Sequence, residues 1–204
     1  MAKVKQILDI RIINCGGLRD LMSELESSFL VDALGLFRNR QDFGRGTPRA
    51  KVNLVRAYKA TDFYAAAFSD ADVLHIVGHS TGTELDVGVA KKRVMASDLG
   101  GEARRAGYSL PPIIVSTGCK FQSKEWRAGF KEAGAKILIA SRSDVTPAAL
   151  TAFDMAFYSA LLAQIRKGRS TRARVKSAFT LADRHYRAIH AKGTPFAKFE
   201  LVTL

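Results

Sequence analysis

Apolar residues along the chain fall into short runs, which predict β-strands, and into longer stripes at helical spacing. The predicted strands cover residues 7–14, 52–58, 73–77, 113–116 and 136–140. The run at 73–77 is almost continuously apolar, which is typical of a strand that is covered on both faces. An alternating segment at 83–95, interrupted by Gly88, predicts a small hairpin.

Helical segments fill the intervals between these strands. They cover residues 18–34, 62–68, 97–106, 123–133, 147–165 and 170–189, with N-caps predicted at Thr61, at Ser97 or Asp98, and at Ser123. The first helix carries apolar residues on one face, namely Leu18, Leu21, Met22, Leu25 and Phe29. Strands that alternate with helices predict a single α/β domain over 1–204, with a mainly parallel central sheet between two helical layers. The polar, basic segment at 35–51 is predicted to be a mobile loop.

The net charge of +13 bears on possible partners. Its basic residues concentrate in 38–51, 91–93 and 166–176, and such surfaces attract nucleic acid or an acidic protein. No aromatic residues recur among them as a base-stacking platform requires, so nucleic acid is disfavoured as a partner without being excluded. Two cysteines form no disulfide framework, and we predict neither a signal peptide nor a membrane span. We therefore expect a cytoplasmic protein with no membrane partner.

Two reactive residues follow directly after predicted strands. His79 lies in DVLHIVGHSTG and Cys119 in IIVSTGCKFQS, and a glycine precedes each of them. In open parallel sheets, functional side chains collect at the carboxyl ends of the strands. If the two strands are neighbours, the imidazole can take the thiol proton and generate a nucleophilic thiolate.

These two segments resemble the histidine and cysteine blocks of the caspase-like cysteine peptidases, and they are most similar to the CHAT and separase branch. The downstream segment GAKILIASRSDVTPAALTAFDMAFYSALLAQIRKGRSTRARVKSAF resembles the CHAT tail, so the resemblance spans about residues 52–183. It implies a cysteine endopeptidase with His79 as general base and Cys119 as nucleophile. The backbone amides of Ser80 and Cys119 would form the oxyanion hole, and no metal or cofactor is expected.

The same resemblance suggests a substrate. Asp144 lies in a Ser-Asp-Val-Thr stretch that resembles the separase loop whose aspartate receives a basic P1 side chain. We therefore expect cleavage of a protein substrate after arginine or lysine, with Asp144 and Thr117 in the substrate-binding region. The competing interpretation is that Asp144 caps the helix that begins near Pro147. Self-cleavage in the arginine-rich segment at 38–49, a regulatory protein partner and a role in bacterial antiviral defence are further expectations.

Two alternatives stay open. One is a non-catalytic caspase-like module that binds or assembles, which Ser80 favours because the family usually has glycine there. The other is a serine hydrolase, since residues 78–82 match the G-x-S-x-G elbow with Ser80 as nucleophile. Asp144 followed by His185 or His190 would complete its triad, but the glycines after Ser80 disfavour the helix that the elbow needs. We interpret His75 as a core residue with a hydrogen-bond partner.

Overall fold

A computed structural model describes residues 7–16, 20–36, 49–88, 92–164, 171–189 and 198–204. Its strands are β1 Leu8–Asn14, β2 Ala50–Arg56, β3 Val73–Val77, β4 Glu84–Val87, β5 Lys92–Met95, β6 Ile113–Ser116, β7 Ile137–Ser141 and β8 Phe199–Thr203. Its helices are α1 Leu21–Gly35, α2 Ala60–Ala67, α3 Leu99–Ala106, α4 Lys124–Glu132, α5 Pro147–Ala163 and α6 Thr171–Ile189. None of these helices is both long and apolar enough to cross a membrane.

The central sheet has the strand order β2-β1-β3-β6-β7-β8. Its pairs are parallel except β7–β8, and β4 and β5 form a separate antiparallel hairpin. Every residue of β3 is buried, as expected for a strand between two helical layers. The predicted α/β fold with a mainly parallel sheet is therefore confirmed, and so is the hairpin.

Each face of the sheet supports its own apolar core. Side chains alternate along a strand, so that Ile113 and Val115 of β6 pack with α1, α5 and α6, whereas Ile114 packs on the other face. That second core contains Trp126 and Phe130 of α4 together with the hairpin, α2 and α3. The sheet thus carries one helical layer on each side, and a functional site can form at the carboxyl ends of its strands.

Helix α1 presents a different face to the sheet from the one that its apolar stripe predicts. Leu21, Leu25 and Phe29 share one face, but they are 66%, 54% and 41% exposed. The face that packs inward carries Ser23, Ser27, Leu30, Ala33 and Leu34. Polar contacts account for this orientation, because the buried amide of Asn14 donates to Ser27 Oγ and to Glu24 Oε2, both at 3.0 Å. Apolar spacing alone therefore does not indicate which face of α1 is buried.

Other differences concern ends of elements and the C-terminus. Thr61 lies inside α2, whose N-cap is Lys59. Strand β8 was not predicted, since its five residues acquire a sheet partner only through antiparallel pairing with the distant β7. Of the loop predicted at 35–51, Gly35 ends α1 and residues 50–51 begin β2, while 37–48 lie outside the described residues.

Candidate active site

The register between β3 and β6 brings the two reactive residues to one edge of the sheet. His75 pairs with Val115 and Ile76 with Ser116, a separation of 115 − 75 = 40 residues. His79 and Cys119 have the same separation, 119 − 79 = 40, and each lies three residues beyond the last ladder pair, Ile76 and Ser116. The condition that their strands are neighbours is confirmed.

Glycine at position 118 permits this close approach beyond the strands. A Cβ atom on Gly118 would lie 2.5 Å from the carbonyl oxygen of Gly78, which is closer than a real side chain tolerates. The two segments therefore run side by side past the last ladder pair. Only a residue without a Cβ fits here while the neighbouring backbone stays in place.

The loop after β7 holds the segment that carries the thiol. Cys119 is half-buried, and its Sγ accepts a hydrogen bond from the backbone N–H of Val145 at 3.4 Å. The next residue, Lys120, has a φ of 56° and donates its backbone N–H to the carbonyl of Ser143 at 3.3 Å. These contacts turn the chain sharply after Cys119 and keep the sulfur at the rim.

His79 contacts a carboxylate that sequence reasoning missed. Its Nε2 lies 2.9 Å from Oδ2 of Asp20, and its side chain is 70% exposed. Asp20 is also the N-cap of α1, where Oδ1 accepts the backbone N–H of Ser23 at 3.2 Å. Its signal in the sequence was that of an ordinary helix cap, with no motif linking it to His79.

The charge on Asp20 determines how His79 can act. Burial raises the pKa of Asp20, but hydrogen bonds from Ser23 and the nearby His79 outweigh burial, so its pKa lies below the ordinary 3.8. The charged carboxylate favours the tautomer in which Nε2 carries the proton, which leaves Nδ1 as a proton acceptor. In the described residues, no hydrogen bond joins His79 to Cys119.

Ser80 has a side chain turned into the protein. Its hydroxyl is buried and accepts hydrogen bonds from Trp126 Nε1 at 3.0 Å and from the backbone N–H of Gly82 at 3.2 Å. The chain then bridges to Leu85 and enters β4, so the described residues have no elbow helix here. His185 is exposed on α6, which packs on the opposite face of the sheet from Trp126; His190 lies outside the described part of the chain.

The sequence predicts the backbone N–H groups of Ser80 and Cys119 as the donors of an oxyanion hole. Neither the Ser80 nor the Cys119 N–H donates to a hydrogen bond within the described chain. Because buried or rim amides are usually paired, amides that lack a partner among the described residues are candidate donors to a substrate oxygen.

The two predicted substrate-binding residues lie at different depths. Asp144 is at the rim with its side chain 76% exposed, and its Oδ1 lies 3.3 Å from Lys120 Nζ. It does not cap α5, because Thr146 is the cap and accepts the N–H of Ala149 at 3.4 Å. Thr117 is buried beneath the rim, where its hydroxyl donates to Glu26 Oε1. Asp144 is thus exposed beside Lys120, whereas Thr117 is buried.

A shallow groove continues from the rim. It has a volume of about 460 Å³, and its lining includes Thr81, Gly82, Lys120, Ser123, Arg127 and Arg142. Its cationic side chains suit a polar or acidic stretch of polypeptide.

Comparison with known proteins agrees with this architecture. No family model and no curated protein matches the sequence. Similar solved structures include an inactive zymogen C11 protease from Parabacteroides distasonis, at 13% identity and a TM-score of 0.54 over 98% of this chain and 62% of that chain. The Arg-specific cysteine proteinase gingipain R aligns at 11% identity and a TM-score of 0.51, over 91% of this chain and 44% of that chain. Saccharomyces cerevisiae separase, in its complex with securin, aligns at 12% identity and a TM-score of 0.50, over 98% of this chain and 12% of that chain.

The chain has a caspase-like fold. The similarity spans less than two thirds of each of those three proteases. At such identities, it is the fold that the chains share.

Proposed function

We propose that this chain is a cysteine endopeptidase in which His79 is the general base and Cys119 the nucleophile. The observation that carries the proposal is the β3–β6 register, which pairs the two strands that end just before His79 and Cys119 and so brings both residues to one edge of the sheet. Asp20 orients the imidazole, and the N–H of Val145 offers a hydrogen bond to negative charge on the sulfur. The likeness to solved cysteine proteases supports the same assignment.

The residues at the rim are sufficient for peptide hydrolysis. Nδ1 of His79 takes the proton of the Cys119 thiol, and the thiolate forms a bond to the carbonyl carbon of the substrate. The backbone N–H groups of Ser80 and Cys119 stabilise the oxyanion. The imidazolium gives its proton to the departing amine as the C–N bond breaks, which leaves a thioester. Water attacks the thioester with His79 again as base, releasing the acid and restoring the thiol.

We further propose that the residue before the cleaved bond is arginine or lysine. Asp144 is adjacent in sequence to Val145, whose N–H contacts the sulfur of Cys119. Its carboxylate already binds a cation, Lys120, in an exposed pair of the kind that contributes roughly 0–1 kcal/mol. A substrate guanidinium can displace that ammonium, because it binds a carboxylate through two parallel hydrogen bonds.

A regulatory partner is part of the proposal. The separase structure is that of a complex with securin, which supports partner control in proteins of this fold. In this chain the exposed apolar face of α1 begins next to Asp20, so a protein bound there would contact the segment that holds His79. The antiviral defence role and the cytoplasmic location stay predictions, and so does self-cleavage at 38–49, since residues 37–48 lie outside the described part of the chain.

The proposal is tested by labelling the native protein with iodoacetamide and with a peptidyl-arginine acyloxymethyl ketone, followed by peptide mapping. Cys15 is the internal control, because it is 1% exposed and burial raises the pKa of its thiol. We expect one equivalent of arginine probe on Cys119 and none on Cys15. His79→Ala should abolish the capture, and Asp144→Asn should slow the arginine probe but not a matched peptidyl-leucine ketone.

The competing function is a non-catalytic binding module, and one observation favours it: His79 is hydrogen-bonded to Asp20 and not to Cys119. A Cys119 thiol that reacts no faster than an ordinary accessible thiol would support the module or a gated enzyme. Repeating the labelling with candidate partner proteins separates these two, since only a gated enzyme gains reactivity.

A further inference from the structure

A second group of polar side chains lies beneath the rim, where α1, β3 and α5 meet. Nε2 of His75 is 3.7 Å from a carboxylate oxygen of Glu26 and 3.7 Å from one of Asp154. The three potential ligand atoms all lie within 4.8 Å of one another. The side chains of His75 and Asp154 are buried, and that of Glu26 is 9% exposed.

The carboxylate of Asp154 lacks a hydrogen-bond partner among the described residues. Neither of its carboxylate oxygens has a hydrogen bond among the described residues, although the residue is completely buried. Because an unpaired buried carboxylate is costly, a cation bound between Asp154 and Glu26 would remove the penalty.

The imidazole of His75 is oriented as a metal ligand usually is. Its Nδ1 lies 2.9 Å from the hydroxyl of Tyr158, which leaves Nε2 directed at the two carboxylates. Ligating histidines commonly have a hydrogen bond at the ring nitrogen that does not bind the metal, which fixes the ring.

We propose that Glu26, His75 and Asp154 bind a divalent transition-metal ion, with zinc as the best match. One imidazole nitrogen with two carboxylates is a donor set that suits zinc and not calcium, which prefers oxygen ligands alone. Bonds of about 2.1 Å at tetrahedral angles put ligand atoms roughly 3.4 Å apart, close to the 3.7 Å separations found here. The hydroxyl of Thr117, 3.4 Å from Nε2, borders the fourth position, and the exposed edge of Glu26 gives access.

Such an ion has a structural role next to the rim. It connects Glu26 of α1 and His75 of β3 to α5. The helix α1 begins at Asp20, which contacts His79, and Thr117 is two residues before Cys119. The ion therefore ties together the segments that carry the candidate active site, while it takes no part in the chemistry proposed above.

The test is a zinc titration of chelator-treated protein that carries Cys119→Ser and His79→Gln, so that zinc cannot bind at the rim. Binding stoichiometry and the melting temperature are measured for this background and for the background with Asp154→Asn or His75→Gln. We expect one tightly bound zinc and a rise in Tm of about 5–10 °C at free zinc a hundredfold above Kd. Calcium at the same concentration should leave Tm unchanged, and cobalt should give the visible absorption of a four-coordinate site.

Asp154→Asn is the most informative variant, because it removes an unpartnered buried carboxylate and should therefore fold. We expect it to melt at or above the temperature of the metal-free parent and to lose the zinc response. The proposal is overturned if no zinc binds, since the cluster is then a metal-free group of buried acids around His75. It is equally overturned if both variants keep full zinc binding, because the ion then lies elsewhere. These outcomes do not depend on peptidase activity.

Discussion

Strand β3 contains one histidine, and the segment just after it contains a second, four positions later. Each of them lies beside a carboxylate, one from α1 and the other from the N-cap of α1. His79 is 70% exposed and contacts Asp20, whereas His75 is fully buried and lies beside Glu26. His79 Nδ1 has no hydrogen-bond partner among the described residues, while both ring nitrogens of the buried histidine face protein groups. The same residue types thus lie in two environments: solvent access suits the rim histidine to the proposed proton transfer, and burial suits the lower one to packing or the proposed metal ion.

The largest expected effects come from removing each histidine in turn. His79→Ala should reduce kcat/KM by about 10²–10⁴-fold, the usual contribution of a general base. Its unfolding free energy should change by no more than roughly 0.5 kcal/mol, because the side chain is exposed. His75→Ala should cost about 2–4 kcal/mol in stability through the cavity and the unpaired hydroxyl of Tyr158. Denaturant unfolding measures the unfolding free energy of each variant, and steady-state kinetics measures kcat/KM. An equal loss of unfolding free energy in the two variants would contradict the comparison.

The two faces of α1 provide the next test, since this helix carries Glu26 and begins at Asp20. Leu30 is 1% exposed and Leu25 is 54% exposed. Leu30→Ala should therefore cost about 2–5 kcal/mol, whereas Leu25→Ala should stay within roughly 0.5 kcal/mol. If denaturant unfolding of the isolated protein shows that Leu25→Ala is the more destabilising of the two, the orientation of α1 described above is incorrect.

Ser80 distinguishes the cysteine mechanism from a serine hydrolase. Ser80→Ala removes the acceptor of the buried Trp126 Nε1–H and should cost about 1–3 kcal/mol. Its folded form should still capture the arginine probe on Cys119. The exposed Ser97, whose hydroxyl contacts only Asp98 among the described residues, is the matched control, with little expected effect on stability as Ala. Loss of hydrolysis in folded Ser80→Ala, with Cys119 labelling intact, would point to the serine.

Asp20→Asn tests whether the carboxylate of Asp20 positions His79. Asparagine is as good an N-cap as aspartate, so the unfolding free energy should change by only a few tenths of a kcal/mol. Without the charge, the proton-accepting tautomer and orientation of His79 are less favoured, and we expect kcat to fall about tenfold or more while KM stays similar. An unchanged kcat would limit Asp20 to its role as a helix cap.

The smallest expected effect is on the pH dependence of stability. Because the pKa of Asp20 is lowered on folding, its contribution is present above the ordinary pKa of 3.8 and is lost as the pH falls below it. The stabilisation that wild type gains over Asp20→Asn from this carboxylate should therefore shrink as the pH falls below about 4. Urea unfolding at several acidic pH values measures it, and a difference that stays unchanged as Asp20 becomes protonated would contradict a lowered pKa for this residue.

Several features of the fold were predictable because local pattern and final environment agree. The continuous apolar runs of β3 and β6 give strands with the predicted ends, and Ser123 caps α4 as expected, accepting the N–H of Trp126. Strand β8 was missed, since its pairing with β7 joins segments that are far apart in sequence. The buried face of α1 did not follow from apolar spacing, because the polar contacts with Asn14 lie on the side of the helix that packs.

By itself, the sequence determined the parallel α/β architecture and put His79 and Cys119 at the ends of two buried strands, because hydrophobic periodicity and glycine punctuation are local properties. Only the tertiary structure decided that those strands are neighbours, and that their paired residues have the same separation in sequence as His79 and Cys119. It also decided that Asp20 faces His79 and that Glu26 and Asp154 converge on His75. These contacts depend on the packing of α1 and α5 against the sheet, and no spacing along the chain encodes how two helices from distant segments meet one strand.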